Sequence, residues 1–156
     1  MPIRNEAGFI TRSLGAVLAQ DYPPERLEIW VADGMSSDST RSLVGELIAA
    51  DAARVGATTA RVRVIDNPEG IVPTAMNRAM RLARGEVVVR VDGHCEVPRH
   101  YVSRAVELLE RDGIAGVGGP VETLGSSYAA RAISLAMSSA FGVGPGSFRT
   151  AQATER

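Results

Sequence analysis

The sequence predicts an α/β fold: a mainly parallel sheet with helices on both faces, in a single domain over residues 1–156. Three observations carry that prediction. Apolar runs of strand length alternate with segments of helical period, the order that builds parallel β-α-β units. Short polar clusters close the strand-like runs: Asp33-Gly34, Asp66-Asn67 and Asp92-Gly93-His94, with Asn5-Glu6 in the matching place near the start. A chain of 156 residues can also bury about two-thirds of its unfolded surface, enough for one core.

The elements follow in order. Asn5 to Gln20 carries Ile10, Leu14, Val17 and Leu18 at helical spacing and stops before Tyr22-Pro23-Pro24, which cannot continue a helix. Asn5, with Glu6 in the first turn, is good N-capping chemistry for it. Leu27 to Ala32 is a short strand; Ser39 to Ala53 is a helix through Leu43, Val44, Leu47 and Ile48. Val62, Val64 and Ile65 make the next strand, and Val72 to Ala83 the next helix, with Ala75, Met76, Ala79, Met80 and Ala83 on one side. Glu86 to Asp92 reads as a further strand, Tyr101 to Arg111 as an amphipathic helix and Ile114 to Val117 as a last strand. Beyond Gly118 only Tyr128 to Met137 has a helical pattern, ahead of the Gly-rich FGVGPGSF.

Composition narrows the function classes. Hydrophobic residues make up 45%, charged residues 22%, and the net charge is -1, which disfavours disorder and a polybasic nucleic-acid surface. All seventeen basic residues are Arg, scattered over helix faces with no single local purpose. One cysteine, Cys95, excludes an internal disulfide and a cysteine-rich zinc site. No apolar run reaches the roughly 20 residues that span a bilayer, and the polar Arg-Asn-Glu near Met1 gives no sign of a signal peptide, so a soluble chain is expected.

The polar clusters fall where the carboxyl ends of the strands are expected, the edge at which open α/β sheets bind ligands. Each alone could be a turn, since Asp, Asn and Gly are ordinary turn residues, and Asp66-Asn67-Pro68 is read that way. Asp92 and His94 differ. On an extended chain they share one side, and Gly93 between them removes bulk so that a ligand can approach the backbone. A carboxylate and an imidazole at that spacing suit Mn²⁺, and Mg²⁺ less well; the alternative is a hydrogen-bonded Asp-His pair. Cys95 is better read as a small buried hydrophobe than as a ligand, and His100 as an exposed residue at a helix start. Trp30, out of phase with Ile29 and Val31, is expected to pack against a helix.

Taken together and in order, MPIRNE, LEIWVADGMSSDSTR, DNPEGIVPTAMNRAM and ARGEVVVRVDGHCEVPRHYV resemble the family 2 glycosyltransferases, which have the GT-A fold, across most of the chain. The likeness extends to the bacterial exopolysaccharide branch of succinoglycan type, whose GGP and AMSSxFGVG segments resemble Gly118-Gly119-Pro120 and the run Ala136 to Gly144. The resemblance implies transfer of a sugar from a nucleotide-diphosphate sugar, UDP-linked by expectation, to a glycan or lipid-linked acceptor. It assigns Pro2, Arg4, Asn5, Glu6 and Asp33 to the base and ribose in the nucleotide pocket, Gly34 to the same pocket and Asn77 to its neighbourhood. The family's Asp-x-Asp motif falls on Asp92-Gly93-His94, with His in place of the second acid, which makes Asp92 and His94 the metal residues and Asp92 a donor contact. It further implies work at the cytoplasmic, inner face of the cell membrane, by peripheral association, and says nothing of oligomeric state.

The same resemblance shows departures. Nearly all of the family's first strand would precede Met1, and its catalytic acid and acceptor-binding half would lie beyond the point matched by Phe148-Arg149. Glu122, in GGPVETLG, does not resemble the base motif, so no catalytic residue is assigned. The chain therefore reads as a donor-binding part, expected to bind a nucleotide diphosphate weakly and to transfer no sugar by itself. Two alternatives remain. One is a noncatalytic nucleotide-binding fragment; the other is a dinucleotide-binding Rossmann domain, whose glycine turn would have to lie between the first strand and its helix, whereas Pro120 and Pro145 interrupt both glycine-rich candidates.

Overall fold

The computed structural model describes residues 1–55, 61–119 and 128–138. The chain divides into two compact units, Met1–Glu107 and Leu108–Arg156. The first holds a three-stranded parallel sheet in the order β1 (Pro2–Ile3), β2 (Ile29–Asp33), β3 (Val62–Asp66). Its register aligns Ile3, Asp33 and Asp66, so the polar clusters that close the strands lie along one edge.

The helices are α1 (Ile10–Leu18), α2 (Thr40–Val55), α3 (Val72–Leu82), α4 (Tyr101–Asp112) and α5 (Tyr128–Ser138), with a short 3₁₀ turn at Pro24–Arg26. Packing follows from the period of each element. On β2, Ile29 and Val31 point to one side and join Ile10, Leu14, Val17 and Leu18 of α1, Val44 of α2, Ile3 and Val62 in one buried cluster. Trp30 and Ala32 alternate to the other side. There α3 contacts β1 and β2 and buries Ala75. On that side the Arg63 guanidinium lies 5.1 Å over the Trp30 ring, and Trp30 Nε1 donates to Glu28.

A second group of contacts ties the ends of α1 and α2 to the sheet. Asp51 of α2, buried, accepts from Arg54 and from both Nε and Nη2 of Arg61 at 2.8 and 2.6 Å. Both arginines also donate to the carbonyl of Leu18, a free acceptor at the carboxyl end of α1.

Two expected strands are absent. Glu86 to Asp92 lies outside the ladder, although its valine alternation is strand-like: Val89 and Val91 face the core, while Val87 and Val88 are exposed. The neighbouring β1 is two residues long, and one is Pro2, which has no N–H to offer a further strand. The turn at Gly93 and the loop after it are held instead by Ser13 of α1 and Gln20 just beyond its end. Buried Ser13 donates to the Gly93 carbonyl at 2.6 Å, and buried Gln20 donates to the Pro98 carbonyl at 2.7 Å while accepting from the Val102 amide at 2.9 Å. Ile114 to Val117 is likewise exposed and not a strand. The Gly-rich segment after Ser138, Pro120 and Glu122 lie outside the described residues.

Candidate functional site

The edge defined by the strand ends opens into a pocket of about 130 Å³ lined by Pro2, Ile3, Arg4, Glu6, Asn67, Gly70, Ile71, Val72, Ala75, Asp92 and His94. Three chain segments meet there: the end of β1, the β3–α3 loop with the first turn of α3, and the Asp92-Gly93-His94 turn.

The turn after β1 is built by interlocking with the loop after β2. Asn5 takes φ 54°, a left-handed conformation that Asn tolerates better than most residues. It therefore does not cap α1, whose first residue is Ile10 and whose flanking Phe9 has no side-chain cap. Instead its Oδ1 accepts from the Ser37 amide at 2.9 Å. The amides of Asn5, Glu6 and Ala7 donate in turn to Ser36 Oγ, Thr40 Oγ1 and Asp38 Oδ2. Asp38 also accepts from the Thr40 amide and is held below its usual carboxylate range, mainly by hydrogen bonding to Thr40.

Asp33 is fully buried and is not among the residues that line the pocket. Its carboxylate accepts from Ser36 and lies 3.4 Å from Arg41, whose Nη2 reaches Asp66 at 2.6 Å. Gly34 packs against Arg4: a Cβ there would stand 3.2 Å from two Arg4 carbons. Asn77 is exposed, two residues beyond Ala75 and so about 200° around α3 from it, and is not part of the pocket wall.

The charged groups of the pocket differ in how far they are engaged. Among the described residues Arg4 reaches only the carbonyl of Gly70, at 3.4 Å. Asp92 is gripped at both oxygens by Arg90, at 2.8 and 3.0 Å, and that carboxylate holds the Arg90 guanidinium above its ordinary range. His94 is exposed, with Nδ1 3.0 Å from Oε1 of mostly buried Glu6. One ligand atom each from Asp92, His94 and Cys95 lies within 4.8 Å of the others, a carboxylate, imidazole and thiol set. Cys95 is nonetheless half-buried against the core, as a small hydrophobe would be. His100 stands apart at the start of α4, exposed.

Other site residues carried weaker signals. Asn67 lines the pocket, but its side chain does turn work, donating to the Ile71 carbonyl and accepting from Thr74. Ser13 was visible only as a hydroxyl among Ile10, Leu14 and Val17 on the inward stripe of α1.

Comparison with known proteins gives concordant matches. The family model described as "Glycosyl transferase family 2" matches residues 1–138. The succinoglycan biosynthesis protein ExoA of Rhizobium meliloti (strain 1021) is 32% identical over 152 residues, covering 96% of this chain and 43% of that protein. The glycosyltransferase AglE of Haloferax volcanii is 28% identical over 122 residues, covering 78% of this chain and 38% of its own length. The chain thus spans less than half the length of these curated relatives. Among solved structures, the mannosyltransferase PcManGT of Pyrobaculum calidifontis, in complex with GDP-Man and Mn²⁺, aligns with a TM-score of 0.62 and 30% identity over 78% of this chain and 34% of its own. S. aureus TarS 1–349 in complex with UDP has the same fold, with a TM-score of 0.62 at 22% identity, over 78% of this chain and 37% of its own.

Proposed function

We propose, since this chain belongs to glycosyl transferase family 2, that it forms the donor-binding part of an enzyme moving a sugar from a UDP-sugar to a glycan or lipid-linked acceptor in cell-surface polysaccharide synthesis. The observation that carries the reading is the convergence of Arg4, Asp92 and His94 on one pocket at the carboxyl edge of a parallel sheet. Pro2 and Arg4 take the nucleotide from the β1 side, Asn5, Asp33 and Gly34, outside the pocket lining, support the turns that carry them, and Asn77 stays outside. At about 130 Å³ the pocket is smaller than the roughly 300–1,000 Å³ of ordinary ligand sites. It encloses part of a donor and leaves the sugar to be held elsewhere.

Asp92 and His94 fit a divalent cation, and an imidazole donor favours Mn²⁺ over Mg²⁺. Such a cation, when bound, neutralises charge on the diphosphate leaving group. Mn²⁺ in the complex of the mannosyltransferase supports a metal of this kind. No described helix is long and apolar enough to cross a membrane, and the working place proposed is the inner face of the cell membrane, by peripheral contact.

The test is calorimetric titration of the full chain with UDP, in Mn²⁺ and in chelator. Tighter binding with Mn²⁺, reduced by Asp92→Ala and His94→Ala and unaffected by His100→Ala, is expected. Equal affinity with and without Mn²⁺ would remove the metal from the reading, and no UDP binding at all would remove the donor.

A further inference from the structure

We infer that Glu6 is a positioning residue for His94, fixing the imidazole as the Nδ1–H tautomer so that Nε2 is the nitrogen presented to the cation; this rests on the proposed metal role of Asp92 and His94. Glu6, offered by the resemblance as a nucleotide-pocket contact, lines the pocket with its carboxylate against His94.

Three observations lead here. Glu6 Oε1 stands 3.0 Å from His94 Nδ1. An ionised carboxylate is an acceptor only, so Nδ1 must carry the proton, and the lone pair of the neutral ring is then on Nε2. Second, Glu6 is rigidly held. Its amide donates to Thr40 Oγ1 at 2.8 Å, its carbonyl accepts from the amides of Phe9 and Ile10 at 2.8 Å each, and its side chain is 17% exposed against 58% for His94. A fixed, mostly buried carboxylate thus sets the orientation of an exposed ring.

The third observation is Gly93. A Cβ at that position would lie 2.8 Å from Glu6 Cγ and 3.2 Å from its Cδ. Positive-φ glycines among the described residues are Gly70 and Gly113, so Gly93 is not needed for backbone conformation. It is needed for space, and the space is occupied by the Glu6 stem on its way to His94, with Ile3 Cγ2 beside it at 3.0 Å. Oriented carboxylate-histidine pairs of this kind raise ligand basicity and typically contribute about 10–100-fold to metal affinity.

The experiment uses the full chain. Histidine ¹⁵N spectra of metal-free protein at about pH 8, above the ordinary imidazole value of ~6.5, report the tautomer, with His94→Gln identifying the His94 signals against those of His100. The Nδ1–H form is expected. Free Mn²⁺ measured by electron paramagnetic resonance then gives the affinities of the unmutated chain, Glu6→Gln, Gly93→Ala and His94→Gln. Losses of about 10–100-fold in Glu6→Gln and Gly93→Ala, approaching that of His94→Gln, support the inference. An Nε2–H tautomer overturns it, as does unchanged Mn²⁺ affinity in Glu6→Gln when His94→Gln binds weakly. The tautomer is read on unmutated protein and stands if a variant fails to fold. Absence of Mn²⁺ binding in the unmutated chain, or no loss in His94→Gln, fells the metal reading itself and the inference with it.

Discussion

Ser13, buried on α1, donates its hydroxyl to the carbonyl of Gly93 at 2.6 Å, and so pins the turn that carries Asp92 and His94 to a helix 80 residues earlier in the chain. The segment before that turn has no strand ladder, and this hydrogen bond anchors the turn to the helix instead. Ser13→Ala leaves the Gly93 carbonyl without its partner, and a buried unsatisfied acceptor costs about 1–3 kcal/mol. The expected result in urea unfolding is a lower midpoint with an unchanged slope. A variant as stable as the parent would show that the turn is held by something else.

Gln20 does the same for the next loop. Its amide donates to the carbonyls of Ala16 and Pro98, and its carbonyl accepts from the Val102 amide, one of the free donors in the first turn of α4. Gln20→Leu keeps the volume and removes all three bonds. Faster hydrogen exchange at Val102 is expected, together with destabilisation of about 1–3 kcal/mol. Unchanged protection at Val102 would contradict the capping role.

These two side chains also mark where sequence reading succeeds and where it stops. The helices were legible because Leu43, Val44, Leu47 and Ile48 on α2, or Val102, Ala105, Val106 and Leu109 on α4, repeat at the helical period, which is a local property. The strand ends were legible for the same reason, through Asp33 and Asp66, which the register places side by side. Glu86 to Asp92 misled because alternation records which side chains face the core and is silent on whether the backbone finds a partner strand. Val89 and Val91 do face inward, yet the backbone is held by Ser13. Asn5 misled because a cap and a left-handed turn favour the same residue type, and only the distant Ser36–Thr40 loop decides between them. Gly93, read as room for a ligand, also leaves room for the Glu6 and Ile3 side chains.

Asp51 gives the clearest pH dependence. Its hydrogen bonds with Arg61, and then Arg54, hold its carboxyl below the usual carboxylate range against the opposing effect of burial. The folded value lies below the unfolded one, so the contribution is fully present above the ordinary Asp value of about 3.9 and is lost as pH falls through the folded value. Asp51→Ala leaves the mostly buried Arg61 guanidinium unpaired, which costs about 3–5 kcal/mol near neutral pH. The difference in unfolding free energy between parent and variant should therefore shrink on acidification. A gap that stays constant down to the acid limb would mean that the pair contributes through packing and not through charge.

The last prediction concerns Arg4, whose guanidinium reaches out beside Gly70. Gly70 has φ +68°, and a Cβ added there would stand 2.5 Å from Arg4 Nη1. Gly70→Ala thus carries two penalties of different kinds. The left-handed backbone costs an L-residue about 1–2 kcal/mol of stability, and the methyl group must also push the guanidinium away from the pocket mouth. Arg4→Gln isolates the second effect, since it removes the charge and leaves the turn intact. If Arg4 meets the phosphates of the donor, a charged hydrogen bond of about 1.5–3 kcal/mol is lost, so UDP affinity should fall about 10–100-fold in either variant while uridine affinity changes little. Only Gly70→Ala should also lower the unfolding midpoint appreciably. Titration with uridine, UMP and UDP separates the possibilities. An equal loss for all three ligands in Arg4→Gln would place the guanidinium on the base or ribose. Full UDP affinity in that variant would take Arg4 out of the donor site, because a guanidinium standing beside a bound diphosphate strengthens its binding.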